Sequence, residues 1–175
     1  MFVDYPLRAS GGGSELPRYP ASVLDETDIT CATRSAACVL FTGGRTARLV
    51  AERIHRESAW RWGPFKVVDC GASSAVLDRL LFAPLAADLW PADSLVPTLR
   101  PLQPGTFLLE DVGRLAPGAQ AQLRDLLELA ATEIPGRRSR RRIMASTPEP
   151  LLPRVTDGSF DETLFYRLNA IHFVL

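Results

Sequence analysis

From Cys38 onward the chain alternates short, almost wholly apolar runs with amphipathic segments, which narrows its possible folds more than any other feature. Cys38-Val39-Leu40-Phe41-Thr42 ends in Gly43-Gly44, and Phe65-Lys66-Val67-Val68-Asp69 follows. Thr106-Phe107-Leu108-Leu109 ends in Glu110-Asp111. Arg142-Ile143-Met144-Ala145-Ser146 is stopped by Pro148, and Ala170–Leu175 closes the series. Apolar runs this short predict strands buried on both faces. Between them, Ala47, Val50, Ala51 and Ile54 recur at helical spacing, with Arg48, Glu52, Arg53 and Arg56 on other faces. Ser73 or Ser74 is placed to cap a helix that buries Val76, Leu77, Leu80 and Leu81. Residues 118–132 put Ala119, Leu123, Leu126, Leu127 and Ala130 on one face, ended by Pro135-Gly136. Asp25–Ile29 carries only a weak helical pattern. Strands separated by helices predict an α/β fold: a five-stranded, mainly parallel sheet covered on both faces. Residues 1–22, with Gly11-Gly12-Gly13-Ser14 and three prolines, predict a flexible tail, leaving 23–175 as one domain.

Charge and cysteine usage exclude several classes. Basic and acidic side chains balance at 20 each, so binding nucleic acid through bulk positive charge is disfavoured. No apolar run approaches the roughly 20 residues needed to cross a bilayer. Met1–Ser10 lacks a basic start followed by an apolar stretch, so a cytoplasmic location is the expectation. Cys31, Cys38 and Cys70 have no C-x-x-C spacing, and Cys38 and Cys70 at the edges of apolar runs predict buried free thiols. Only two histidines occur, His55 and His172, far apart, so no metal site is expected. Of the 20 basic residues only Lys66 is a lysine, and it lies inside a predicted strand.

Ligands on parallel sheets bind at the carboxyl ends of the strands. Those ends here carry Gly43-Gly44, Asp69, Glu110-Asp111 and Thr147. A phosphate loop needs a glycine-rich turn followed by Lys and Ser or Thr at the start of a helix. The turn here runs Thr42-Gly43-Gly44-Arg45-Thr46-Ala47-Arg48-Leu49, with Arg48 where a second glycine belongs and Leu49 where lysine belongs. Two readings stay open: a tight strand-to-helix turn, and a weak anion site at the helix start assisted by Arg45 or Arg48. Glu110-Asp111 is likewise either a polar strand exit or a pair of carboxylates able to hold Mg²⁺.

These segments together resemble the AAA+ core of the bacterial sigma-54 activators. Val39–Gly44 followed by Leu49-Val50-Ala51-Glu52-Arg53-Ile54-His55 resembles their Walker A strand and helix. Gly63-Pro64-Phe65 through Cys70-Gly71-Ala72 is similar to GPF-x-x-x-N-C-A-A, and Leu81-Phe82 to the E-L-F-G segment. Gly105–Val112 resembles G-T-L-F-L-D-E-I, and Met144–Thr147 the sensor strand. Ser159–Asn169 resembles R-F-R-E-D-L-Y-Y-R-L-N. The resemblance covers residues 38–175 and implies a three-layer P-loop-type domain. It implies nucleotide-binding positions at Gly43, Gly44, Thr46, Arg48, Glu110, Asp111, Thr147 and Arg167. The matching apolar and turn positions, Phe65, Val67, Cys70, Leu108, Leu109, Leu164, Tyr166 and Leu168, are expected to be mostly core.

The departures from the family pattern fall on its working parts. Two residues are missing from the Walker A turn, and its lysine position reads Ala47. The acidic pair is reversed, Glu110 before Asp111, and one finger position reads Asp161, leaving Arg167. The GAFTGA loop belongs between Phe82 and Gly105, where no glycine occurs, and the expectation is a domain without the family's helical lid or helix-turn-helix. The expectation is a non-catalytic domain, needing no cofactor, that acts through a protein partner: an AAA+ relative or a second copy. Weak binding of ATP and Mg²⁺ is the alternative. Trp90, Leu95 and Leu99 are candidate partner contacts, as are Arg137, Arg138, Arg140 and Arg141. For that arginine run a solvated loop, an acidic protein and nucleic acid all remain open. Trp60 and Trp62 are either core and loop plugs or an exposed aromatic patch.

Overall fold

The computed structural model describes residues 25–85, 105–131 and 141–175. The predicted tail, Trp90, Leu95, Leu99, Arg137, Arg138, Arg140 and the proposed site of the GAFTGA loop lie outside the described residues. The strands are β1 (Val39–Thr42), β2 (Phe65–Asp69), β3 (Gly105–Glu110), β4 (Arg141–Thr147) and β5 (Ile171–Val174). They form one sheet in the order β2-β3-β4-β1-β5, every neighbouring pair parallel. The helices are α1 (Glu26–Arg34), α2 (Ala47–Glu57), α3 (Ser74–Leu77), α4 (Pro117–Ala131), α5 (Leu152–Thr156) and α6 (Glu162–Leu168).

Alternation along the strands divides the core. Leu40, Phe107, Leu109, Ile143 and Ala145 face one layer with Leu77, Leu81, Leu123, Leu164 and Leu168. Val39, Phe41, Leu108, Met144 and Phe173 face the other, against Ile29 and Ala32 of α1 and Val50, Ala51 and Ile54 of α2. Two covered faces explain why the strand sequences are continuous apolar runs. The weak pattern at Asp25–Ile29 matures into a full helix because Asp25 caps it, its carboxylate accepting from the Thr27 amide at 2.8 Å.

Several predicted placements change. After α3 the backbone winds one π-helical stretch, Asp78–Phe82, which buries Leu81 and Phe82 and turns Leu80 outward. Tyr166, expected in the core, is 62% exposed. Ala130 is exposed, and Gln120 is buried in its layer instead, its amide donating to the Leu115 carbonyl at 2.8 Å. β4 begins one residue early and takes Arg141 and Arg142 into the sheet, both buried. Arg141 is therefore not an exposed loop contact: its guanidinium lies 5.1 Å from the centre of the Phe107 ring.

Candidate functional site

The chain leaves β1 toward the far edge of the sheet and later returns through β5 on β1's other side, so the topological switch lies between β1 and β4. That is where an open parallel sheet forms its ligand crevice. Here the crevice is bridged by backbone. The Gly43 amide donates to the Thr147 carbonyl at 2.9 Å, and the Leu175 amide donates to the Thr42 carbonyl at 2.9 Å. Gly43 and Gly44 both have positive φ, 79° and 66°. A methyl on Gly43 would stand 2.8 Å from the Leu175 carbonyl oxygen, and one on Gly44 would stand 2.7 Å from the Leu175 Cβ. The two glycines thus admit Leu175 against the turn.

The turn's remaining residues are disposed around that contact. Thr46 precedes α2 without a side-chain capping bond, and Arg48 pairs with Glu52 one turn along at 3.2 Å. Ala47 is buried in the α1–α2 layer. Lys66 is exposed on the edge strand β2, its ammonium 5.8 Å from the centre of the Phe107 ring. Between β1 and β5, Thr42 Oγ1 lies 2.8 Å from His172 Nε2, and burial holds His172 below the ordinary imidazole pKa.

The carboxylates gather at the ends of β2 and β3. Asp69 pairs across the sheet with Glu110 and accepts from the Gly71 amide at 2.8 Å. Asp111 adopts a left-handed backbone, φ 54°. Arg114 lies across this group: Nη1 is 3.6 Å from Asp69 and Nε is 3.9 Å from Asp111. Burial pushes the Cys70 thiol up to about 12, aided by the charges of Asp69, Asp111 and Glu110, so it stays protonated and non-nucleophilic. Among the described residues no cluster of three or more His, Cys, Asp or Glu is arranged to hold a metal ion. The Thr147 hydroxyl donates to the Glu149 carbonyl at 2.8 Å.

Gly43, Gly44 and Thr147 therefore meet at the switch point, and Glu110 and Asp111 end the strand beyond β4. Arg167 is not brought to them. It lies near the end of α6 that leads into the start of β5, bonded to Glu128 of α4 at 3.1 Å. Its charge acts on Cys38, just before β1 and so at the opposite end of the sheet, although burial dominates there and lifts that thiol to about 11. Asp161 serves as the N-cap of α6, its carboxylate accepting from the Leu164 amide at 2.8 Å and from Arg124 Nη1 at 2.7 Å. Asp161→Ala should cost about 1–2 kcal/mol in chemical denaturation; a loss below about 0.3 kcal/mol would contradict the capping role.

Sequence reasoning missed Arg114, Leu175 and the His172–Thr42 bond. Arg114 stands three residues after Asp111, a spacing that was the only available signal. Leu175 carried none.

Known proteins resemble this chain in sequence and fold. The regulatory protein AtoC of Escherichia coli K12 is 36% identical over 149 residues, covering 81% of this chain and 32% of AtoC. The Sigma54-dependent transcriptional activator SfnR of Pseudomonas putida is 33% identical over 145 residues, covering 78% and 40%. The chain thus spans about a third of the length of such relatives. NtrX of Brucella abortus in complex with ADP matches with TM-score 0.64 at 22% identity, covering 85% of this chain and 34% of that one. The P-loop NTPase domain of a sigma-54 activator from E. coli matches with TM-score 0.58 at 13% identity, covering 85% and 89%. These structural likenesses establish the AAA+/P-loop fold. The family profile of the sigma-54 interaction domain matches residues 21–174, and the chain belongs to that family, the AAA+ domain of bacterial sigma-54 transcriptional regulators.

Proposed function

We propose that this domain is a non-catalytic member of its family, a regulatory or scaffold module that works by binding another protein rather than by hydrolysing ATP. The observation that carries this reading is the seating of Leu175 on Gly43 and Gly44. In a working phosphate loop, backbone amides of that turn face the nucleotide and a lysine reaches its outer phosphates. Here the Gly43 amide is spent on Thr147, Ala47 packs into the core and Lys66 is in the edge strand β2. Arg114 already lies among the carboxylates that would otherwise attract Mg²⁺. The partner is an AAA+ relative or a second copy of the chain.

Thermal unfolding with and without ATP and Mg²⁺ tests this. A ligand at a hundred times its Kd stabilises the folded state by about 2.7 kcal/mol, which would raise Tm by roughly 5–10 °C for a domain of this size. No rise is expected at millimolar ATP, and no phosphate release above buffer. A magnesium-dependent rise of several degrees would instead favour residual nucleotide binding through Gly43, Gly44, Glu110 and Asp111.

A further inference from the structure

Parallel topology gathers the starts of β2, β3 and β4 and the ends of α1 and α2 at the sheet edge opposite Gly43-Gly44. That edge is crowded with cations on aromatic rings. Arg61 lies 5.0 Å from the centre of the Trp62 ring, Lys66 and Arg141 flank Phe107, and Arg142 lies 5.5 Å from the centre of the Trp60 ring. Trp62 is 83% exposed, which no core or plug role explains. Several other cations do meet carboxylates: Arg48 with Glu52, Arg53 with Glu26 and with Glu57 at the end of α2, Arg124 with Asp161, and Arg167 with Glu128. Arg61, Lys66 and Arg142 have no carboxylate partner among the described residues.

Arg142 is the extreme case. It is 0% exposed and donates one bond, from Nη2 to the Ala32 carbonyl at the end of α1, while Nε and Nη1 have no partner. A charge held in a low-dielectric interior without a counter-ion is costly, and its field is poorly screened at the nearby surface.

We propose that this edge is a docking surface for an acidic peptide segment of a partner protein, with Trp62 as the apolar anchor and Arg61 and Lys66 receiving carboxylates. The proposal deepens the protein-interaction reading above and rests on that part of it alone. The chemistry favours a peptide over single-stranded nucleic acid. Stacked bases need successive open ring faces, whereas among the described residues of this edge Trp62 alone is fully open and Trp60 is half-buried beside Arg142. One exposed aromatic with Arg61 against its ring, and Lys66 exposed on the adjoining strand, fits the anchor-and-rim pattern of protein interfaces, and the chain's balanced net charge supplies no long-range attraction for a polyphosphate.

The test uses fluorescence anisotropy of a short fluorescein-labelled peptide of alternating Glu and Phe, with a labelled oligo-dT strand in parallel. Saturable peptide binding that weakens as salt rises is expected. Trp62→Ala and the double variant Arg61→Gln/Lys66→Gln should each weaken it about tenfold. All three side chains are at the surface, so both variants should keep the parent Tm. Absence of peptide binding, binding indifferent to both variants, or binding of oligo-dT in place of the peptide would overturn the proposal. Phosphate release from ATP in the same preparations separates the two readings: turnover with intact peptide binding overturns the non-catalytic assignment and leaves the docking surface standing.

Discussion

Gly43→Ala is expected to lower stability by about 2–4 kcal/mol with no nucleotide present. A left-handed backbone costs an L-residue roughly 1–2 kcal/mol, and Gly43 has φ 79°. The added methyl would also stand 2.8 Å from the Leu175 carbonyl oxygen, a backbone atom that cannot rotate away. In a domain of about this size each kcal/mol moves Tm by roughly 2–4 °C, so a fall of about 5–15 °C should appear by circular dichroism. This measurement separates two roles for one glycine. A glycine kept to admit phosphate would lose ligand binding when substituted and little else. A glycine kept to admit Leu175 loses stability. A Tm within about 1 °C of the parent would show that Leu175 is not held against the turn, and the reading of a closed crevice would fall with it.

Arg142→Met should act in the opposite direction and stabilise the domain. Replacing even a buried ion pair by well-packed apolar side chains is often neutral or stabilising by about 1–4 kcal/mol, and a buried charge without a counter-ion has less Coulombic attraction to lose. The variant loses the bond to the Ala32 carbonyl and the contact with Trp60. It removes two buried donors, Nε and Nη1, that have no acceptor, each costing of order 1–3 kcal/mol. Burial already pulls the Arg142 guanidinium down to about 10, in keeping with a charge held against its solvation. The net expectation is a gain of about 1–3 kcal/mol in chemical denaturation. A loss exceeding about 1 kcal/mol would show that Arg142 is satisfied by groups its surroundings conceal. A gain in stability accompanied by weaker peptide binding would mark Arg142 as retained for function at the expense of stability.

The parallel sheet was legible because strands buried on both faces must be apolar throughout. Val39–Phe41, Phe107–Leu109 and Ile143–Ala145 could be read directly, as could α2 from the spacing of Ala47, Val50, Ala51 and Ile54. The helix after Ser73 was legible as a helix but not in its facing. One wider turn at Asp78–Phe82 rotates Leu80 out of the core, and no residue in that stretch announces it. Tyr166, expected in the core, lies exposed, and Trp62, left open between core and exposed patch, lies exposed too, for a related reason: a large ring is apolar enough for the core, and only the packed neighbours decide whether space remains. Arg141 was read with the basic run because charge marks surface on average, while Arg142 was read as opening the strand. The sheet register sets them opposite Gly105 and Thr106 instead, inside the layers.

The resemblance implied a set of positions by their order along the chain, and the structure shows which of those residues meet. Gly43, Gly44 and Thr147 meet at the switch point, while Arg167 is drawn away by Glu128. Local sequence alone determined the strands, the amphipathic helices and hence the α/β class, since periodicity and residue identity are properties of neighbours in the chain. What seats on Gly43-Gly44 and what Arg142 meets are decided by residues far apart in sequence. Leu175 reaches Gly43, and Arg142 reaches Ala32 and Trp60, only because five parallel strands align their ends. Such meetings have no signature in either partner's own segment, so the tertiary structure alone could disclose them.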